Sequence, residues 1–415
     1  MKLPSASSFL KWAIVAACIM RVLVCFQHNP CDYLFSDPKR HWLNGERLFH
    51  PDLMGAGDPI LYQVYIFLLR TFTGDNRYLL ALASGLLSVL MPWFFYRACR
   101  EMNFEKKSAL LAWALIAWTP SLFVIYHYFM METLLLPLVG ASVWMTARFL
   151  RKANTSSFVI ATTLWTLASL TKPTVIPLAV ICVGWAWWTQ SKRFLDILAA
   201  GILACLLLAP NTYRSKSNLG FYAPFGNPWL TKIEHRSGKK TIHIYFKKGN
   251  WTFSSPSCYI QPLFPLSLWA MQRAWEDSAI SVSIDASKGA TDWESAYSRL
   301  KTTPTQWLGQ AGENILLFLF APSWPDCNES EWDGWLNYVS RWMWAPLVFL
   351  VLDCNIRQFA SKHFELLPLA VTGFTLFLAF QNVANTEGRY RKPLEPLLLM
   401  NVIWALSPVK RKNSI

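Results

Sequence analysis

The stretch Ser36-Asp37-Pro38-Lys39-Arg40-His41 sets a carboxylate beside two fixed cations and an imidazole, just after the first long apolar run. A carboxylate so placed suits a general base that takes a proton from an acceptor hydroxyl. Lys39, Arg40 and His41 suit an anionic substrate such as a phosphate. The Asp-Pro pattern recurs at Asp58-Pro59. An acid followed by Pro is also an ordinary helix start, with the carboxylate as cap and Pro at the first helical position. Asp37 and Asp58 therefore each carry two readings, cap or reacting acid. Glu132, Lys172 and the turn Glu387-Gly388-Arg389-Tyr390-Arg391-Lys392 each lie at the end of an apolar run. Ionisable groups near a membrane interior are costly and tend to face cavities or partners, and Arg forks match phosphate oxygens. The plainer readings are a hydrated interfacial Glu132, a snorkelling Lys172 and a headgroup anchor at Arg389 and Arg391. The candidate catalytic acids are Asp37, Asp58 and Glu132. The candidate substrate contacts are Lys39, Arg40, His41, Lys172, Glu387, Arg389, Tyr390 and Arg391. His127, His235 and His243 have no partner at ligand spacing, so no metal and no cofactor are expected.

The elements that must position these residues are membrane helices. The chain is 53% hydrophobic and 15% charged, against roughly 25% charged in soluble chains, and it carries 22 Trp and 27 Phe. Trp and Tyr collect at membrane interfaces. A hydrocarbon core of about 30 Å needs about 20 mostly apolar residues in a helix. By that rule the spans fall near 10–27, 76–97, 108–126, 130–149, 156–171, 173–190, 194–210, 335–353, 363–382 and 392–408, about ten in all. The stretches 59–72 and 313–322 are apolar but short, and read as interfacial or re-entrant helices. The first span reads as a retained helix, because no clear small-residue cleavage site precedes Gln27-His28.

Basic residues collect in alternate short loops, at Arg97–Lys107, Arg148–Lys152, Lys192-Arg193, Arg357–Lys362 and Lys410–Lys412. Cytoplasmic loops carry the Lys and Arg excess, so both termini are expected inside a cytoplasmic (inner) membrane. The net charge of +14 then has a source other than nucleic acid. The alternation puts 28–75, the Tyr126–Tyr128 turn, the Thr171–Pro173 turn, 211–334 and Asn382–Arg391 on the outer side, together with nearly all the candidate residues above.

Three regions follow: an N-terminal membrane module, 1–210, with the first outer loop 28–75; an extracytoplasmic region, 211–334; and C-terminal helices, 335–415. In the middle region Thr241–Phe246 alternates polar and apolar residues beside Gly238 and Gly249, which predicts a small β-hairpin. Trp269–Leu308 has helical spacing. The expectation is an all-α polytopic membrane protein with a small mixed α/β outer region. Nine scattered Cys include no CxxC pair, and no disulfide is supported.

The order of motifs resembles the GT-C superfamily of polytopic glycosyltransferases. The motifs are Ser36-Asp37 after the first span, Asn44-Gly45-Glu46-Arg47-Leu48, the Tyr-rich Pro-led helix Asp58–Tyr65, Glu132–Pro137, Leu170-Thr171-Lys172-Pro173, and Arg389-Tyr390-Arg391-Lys392-Pro393. It looks closest to the bacterial branch with dolichyl-phosphate-mannose protein mannosyltransferases and the aminoarabinose transferase of lipid A. The resemblance implies inverting transfer of a sugar from a polyprenyl-phosphate donor to a lipid, glycan or protein acceptor. It implies Asp37 as the catalytic acid of the first loop, and Lys172, Arg389 and Arg391 as contacts to the carrier phosphate. Asp58 stands where the aminoarabinose enzymes place a Lys, so that phosphate contact must come from elsewhere. Two rivals remain: a ligase or polymerase of O-antigen type using polyprenyl-diphosphate glycans, and a transporter or lipid flippase. The transporter reading expects charged or broken segments near the midplane, and the apolar runs here hold few charges.

Overall fold

The computed structural model describes residues 6–51, 53–190, 194–219, 222–226, 230–236, 239–247, 279–285, 331–360, 365–380 and 388–406, with isolated positions between 304 and 318. Helices dominate. In chain order they are α1 (Ala6–Gln27), α2 (Ser36–Gly45), α3 (Leu53–Gly57), α4 (Ile60–Thr73), α5 (Arg77–Glu101), α6 (Lys106–Trp118), α7 (Pro120–Phe123), α8 (Met131–Lys152), α9 (Thr155–Thr171), α10 (Ile176–Gln190), α11 (Phe194–Leu219), α12 (Glu331–Ala360), α13 (Leu366–Phe380) and α14 (Glu395–Leu406). Three strands, β1 (Leu230–Arg236), β2 (Lys239–Lys247) and β3 (Ala279–Asp285), form an antiparallel sheet in the order β1-β2-β3. Strand β3 falls inside the stretch that helical spacing had marked. Its alternation Ala-Ile-Ser-Val-Ser-Ile-Asp is the signal that the spacing argument passed over. The rest of Trp269–Leu308, apart from isolated positions, lies outside the described residues.

Among the described residues, four helical segments are long and apolar enough to cross a membrane: Ala6–Asp32, Arg77–Glu101, Met131–Lys152 and Phe194–Asn218. Lys106–Trp118 and Pro120–His127 make a fifth if they form one span, but they bend by 73°. Helices α9 and α10, with 17 and 15 residues, and α13 and α14 are shorter. The expected ten are thus not reached by length and composition.

The bend follows from Thr119-Pro120. Pro has no N–H to continue the ladder, which strands the last carbonyls of α6. Arg21 of α1, fully buried, collects them, with Nε on Ala117 O at 2.8 Å and a terminal nitrogen on Ile116 O at 3.1 Å. Its other terminal nitrogen takes Ser88 O at 3.1 Å and Leu122 O at 3.3 Å. Small residues bring the helices close, as interfaces in membranes favour. A Cβ on Gly85 of α5 would sit 3.0 Å from Val22 Cα, and one on Gly140 of α8 would sit 3.0 Å from Phe94 Cβ. The buried core runs through Phe95, Tyr126, Tyr128, Trp165, Trp344 and Phe374.

The bundle has two unlike ends. At one, Arg97 lies over the Trp93 and Trp144 rings, and Arg151 pairs with Glu101 at 2.6 Å. At the other, the connections around α2–α4, α7, the start of α8, the end of α9 and the start of α14 touch one another. His28 stacks on His127, Trp42 on Phe129, Tyr62 Oη meets Thr133 Oγ1, and Lys392 reaches Ser121 O.

Candidate functional site

Helix α2 starts at Ser36 with Phe35 as its extended cap residue and no side-chain cap. Asp37 therefore lies in the first turn and is not the N-cap, and there it favours the positive end of the helix dipole. Asp37, Arg40, His41 and Asn44 recur at i, i+3, i+4 and i+7, one face of the helix. The face is pressed onto its neighbours by small residues. A Cβ on Gly45 would be 2.6 Å from Ile66 Cγ2, and one on Gly55 of α3 would be 2.3 Å from Asn44 Cγ.

On that face Arg40 bridges two carboxylates. One terminal nitrogen meets Asp37 Oδ1 at 2.7 Å. Nε donates to Asp58 Oδ2 at 2.8 Å, and the second terminal nitrogen approaches Asp58 Oδ1 at 3.4 Å. Asp58 does not cap α4 either: the cap residue is Pro59, with no side-chain bond. Both cap readings give way to one shared guanidinium. His41 is 1% exposed, with Nδ1 3.7 Å from Asp58 Oδ2 and its ring edge-on to Tyr62. Neither ring nitrogen has a hydrogen-bond partner among the described residues. Burial holds its pKa down at about 4, outweighing the raising effect of Asp58. His41 is thus neutral at neutral pH and brings no positive charge to an anionic substrate. Lys39 is exposed beside this face.

The second group is Glu132, Lys172 and Tyr390. Glu132 sits in the first turn of α8. Lys172 follows the last residue of α9 in extended backbone, which the next residue, Pro173, favours. Lys172 Nζ meets Glu132 Oε1 at 2.5 Å, with both side chains buried, and lies 4.7 Å from the centre of the Tyr390 ring. The plainer readings of a hydrated Glu132 and a snorkelling Lys172 do not hold for a buried pair. Tyr62 links the two groups: its ring faces His41, and its hydroxyl is 3.3 Å from Thr133 Oγ1, next to Glu132.

Arg391 is committed elsewhere. Its guanidinium is fully enclosed, pairs with Glu395 at 3.0 Å and donates to Phe318 O. Glu395 also accepts from Ser121 Oγ at 2.7 Å, and Lys392 donates to Ser121 O at 2.6 Å. This network braces the start of α14 against α7, so Arg391 acts as an internal brace where a phosphate contact was expected. Glu387 and the side chain of Arg389 lie outside the described residues.

Residue-type reasoning passed over Arg214, Gln63 and Asn211. Helix α11 runs nine residues past the expected end at 210. That extension carries Asn211 and Arg214, at i and i+3, toward the first loop, where Arg214 donates to Gln63 Oε1. The available signal was the Asn-x-x-Arg spacing continuing the helical period of an apolar run. Among the described residues no three His, Cys, Asp or Glu side chains group to hold a metal ion.

Residues 58–213 match the sequence model of the dolichyl-phosphate-mannose-protein mannosyltransferase family. No curated protein matches the chain. The matched stretch contains Asp58, Glu132 and Lys172 and begins after Asp37.

Proposed function

We propose that the chain is an integral-membrane glycosyltransferase that moves a sugar from a polyprenyl-phosphate carrier to a lipid, glycan or protein acceptor at the outer face of the cytoplasmic membrane. The observation that carries this is the placing of the Asp37–Arg40–Asp58 group and the Glu132–Lys172 pair, linked through Tyr62, at one end of an apolar bundle, with Asp58, Glu132 and Lys172 inside the stretch that matches the family. About ten spans with both termini inside complete the reading.

In the step proposed, the acceptor hydroxyl oxygen attacks the anomeric carbon and the carbon–oxygen bond to phosphate breaks. The bonding pair leaves with the phosphate, and the hydroxyl proton passes to Asp37. Arg40 is shared between two carboxylates, so its charge is already met by them, which favours a proton acceptor over an anion site at this corner. The leaving phosphate gains charge as the bond breaks and needs a fixed cation. Lys172 serves, with Lys39 at the exposed edge. Arg40 keeps Asp37 and Asp58 apart in role as well as in space: Asp58 anchors the fork, and Asp37 is the partner that exchanges for substrate.

The test uses the full-length protein in proteoliposomes with undecaprenyl-phosphate hexoses and pentoses, following release of undecaprenyl phosphate. Asp37→Asn should lose roughly a hundredfold or more in turnover, the usual weight of a general base, while carrier binding persists. Full activity in Asp37→Asn would remove Asp37 from the chemistry and favour a ligase or polymerase. Carrier movement without cleavage would favour a flippase.

A further inference from the structure

Arg214 is a buried cation that the reaction above does not use. It stands near the end of α11 and reaches back across the chain to the first loop. It donates to the main-chain carbonyls of Leu48, at 3.4 Å, and Asp58, and to the side-chain oxygens of Gln63 and of Asn211, the last at 3.1 Å. Gln63 in turn donates to Gly55 O at 2.9 Å. Four oxygens around one guanidinium thus gather the segment after α2, the Asp58 turn, α4 and α11, and Gln63 extends the network to α3.

The chain just beyond α11 closes on the same turn from another side. Asn211 Nδ2 holds the carbonyls of Ala223, at 3.2 Å, and Pro224, at 2.9 Å. Ser215 Oγ accepts from Ala223 N at 3.0 Å. This lays Gly226 against the backbone of residues 57–59. A Cβ on Gly226 would meet Gly57 O at 2.6 Å and Pro59 N at 2.9 Å, and its φ of +74° is one that side-chain-bearing residues rarely adopt.

We propose that Arg214 and Gly226 are positioning residues: a clasp from the α11 junction that fixes the Asp58 turn, and through the Asp58–Arg40 bridge fixes the Asp37 carboxylate. The catalytic consequence rests on the glycosyltransferase reading, whereas the clasp itself rests on the contacts alone. Arg214 touches the main chain of Asp58 and leaves its carboxylate to Arg40, so the clasp sets where that carboxylate stands and does not compete for it. Loss of the clasp lets the turn drift, and displacements on the order of 1 Å at a reacting group cost about a hundredfold in rate.

The experiment follows amide hydrogen exchange of residues 55–62 in the full-length protein in nanodiscs, alongside turnover of the undecaprenyl-phosphate sugars. Arg214→Gln and Gly226→Ala should each speed exchange in that segment by about tenfold. They should lower kcat by roughly ten- to a hundredfold, with KM within about threefold. Arg214→Lys should restore part of both. Unchanged exchange in both variants overturns the clasp. Faster exchange with unchanged kcat overturns its role in positioning Asp37. A rise in KM alone with Arg214→Gln would make Arg214 a substrate contact and overturn the proposal. Wild-type protein that turns over none of the sugars, but shows the expected exchange, sinks the reaction assigned and leaves the clasp standing.

Discussion

His41 shows how burial rewrites a residue's chemistry. Its type and its place between Arg40 and Trp42 suit an anionic substrate, yet the folded chain holds its pKa at about 4, down from 6.5. Between those values the unfolded chain binds a proton that the folded chain refuses. Stability from this residue is therefore full above pH 6.5 and is lost as pH falls toward 4, by roughly 3 kcal/mol in all. Thermal unfolding in detergent at pH 7.5, 5.5 and 4.5 should show this loss in wild type and a flatter profile in His41→Leu. An equal slope in both would remove His41 as the cause. Glu132 and Lys172 make the complementary case. Removing one partner of a buried pair strands the other charge and costs about 3–5 kcal/mol. Lys172→Met should unfold well before wild type, and adding Glu132→Gln should recover much of the loss. Carrier affinity should stay weak in both, because the cation is gone; wild-type affinity in the double variant would free Lys172 from the phosphate. At this scale the sequence was informative where types converge, at Asp37, Arg40, Asp58, Glu132 and Lys172. It misled where direction matters: Arg391 has the fork for phosphate, but its helix start turns the fork inward to Glu395.

At the scale of elements, apolar length located α5, α8, α9, α10, α13 and α14 to within a few residues, because a long apolar run has few stable alternatives to a helix in lipid. It failed where the run continues through a local break. Residues 108–126 read as one span, since hydropathy does not fall at Thr119-Pro120, yet the ladder ends there and the chain turns by 73°. The cation that accepts the consequence, Arg21, is 96 residues away from Ala117 in sequence, so no local pattern connects them. That turn places α7, His127 and Tyr128 beside the first loop, where His28 and Phe35 meet them. Arg21→Met leaves the carbonyls of Ile116, Ala117, Ser88 and Leu122 without their donor. It should destabilise the protein by about 3 kcal/mol, the scale of hydrogen bonds to a buried charge. Denaturation in mixed micelles measures it, and a change within about 0.5 kcal/mol would show that the bend stands without Arg21.

Over the whole molecule, the two ends differ in how their cations are used. At the end that holds Asp37, Arg40 bridges two acids, Lys172 meets Glu132, Arg391 meets Glu395, and Arg70 meets Asp75 at 2.7 Å. Those charges are largely cancelled. At the opposite end Lys106 and Lys107 are exposed, and Arg151 and Lys152 close α8, with Arg151 paired to Glu101. Lys and Arg in short loops resist translocation, so the topology we propose puts that end in the cytoplasm and the Asp37 end outside. In a background with the native cysteines replaced, a membrane-impermeant maleimide added to intact cells should label His50→Cys and spare Lys107→Cys until the membrane is opened. The reverse pattern would bring Asp37, Lys172 and the Arg214 clasp to the cytoplasmic face. The residues would keep their geometry, but the donor would have to be presented from inside, and the outer-face reaction would have to be abandoned.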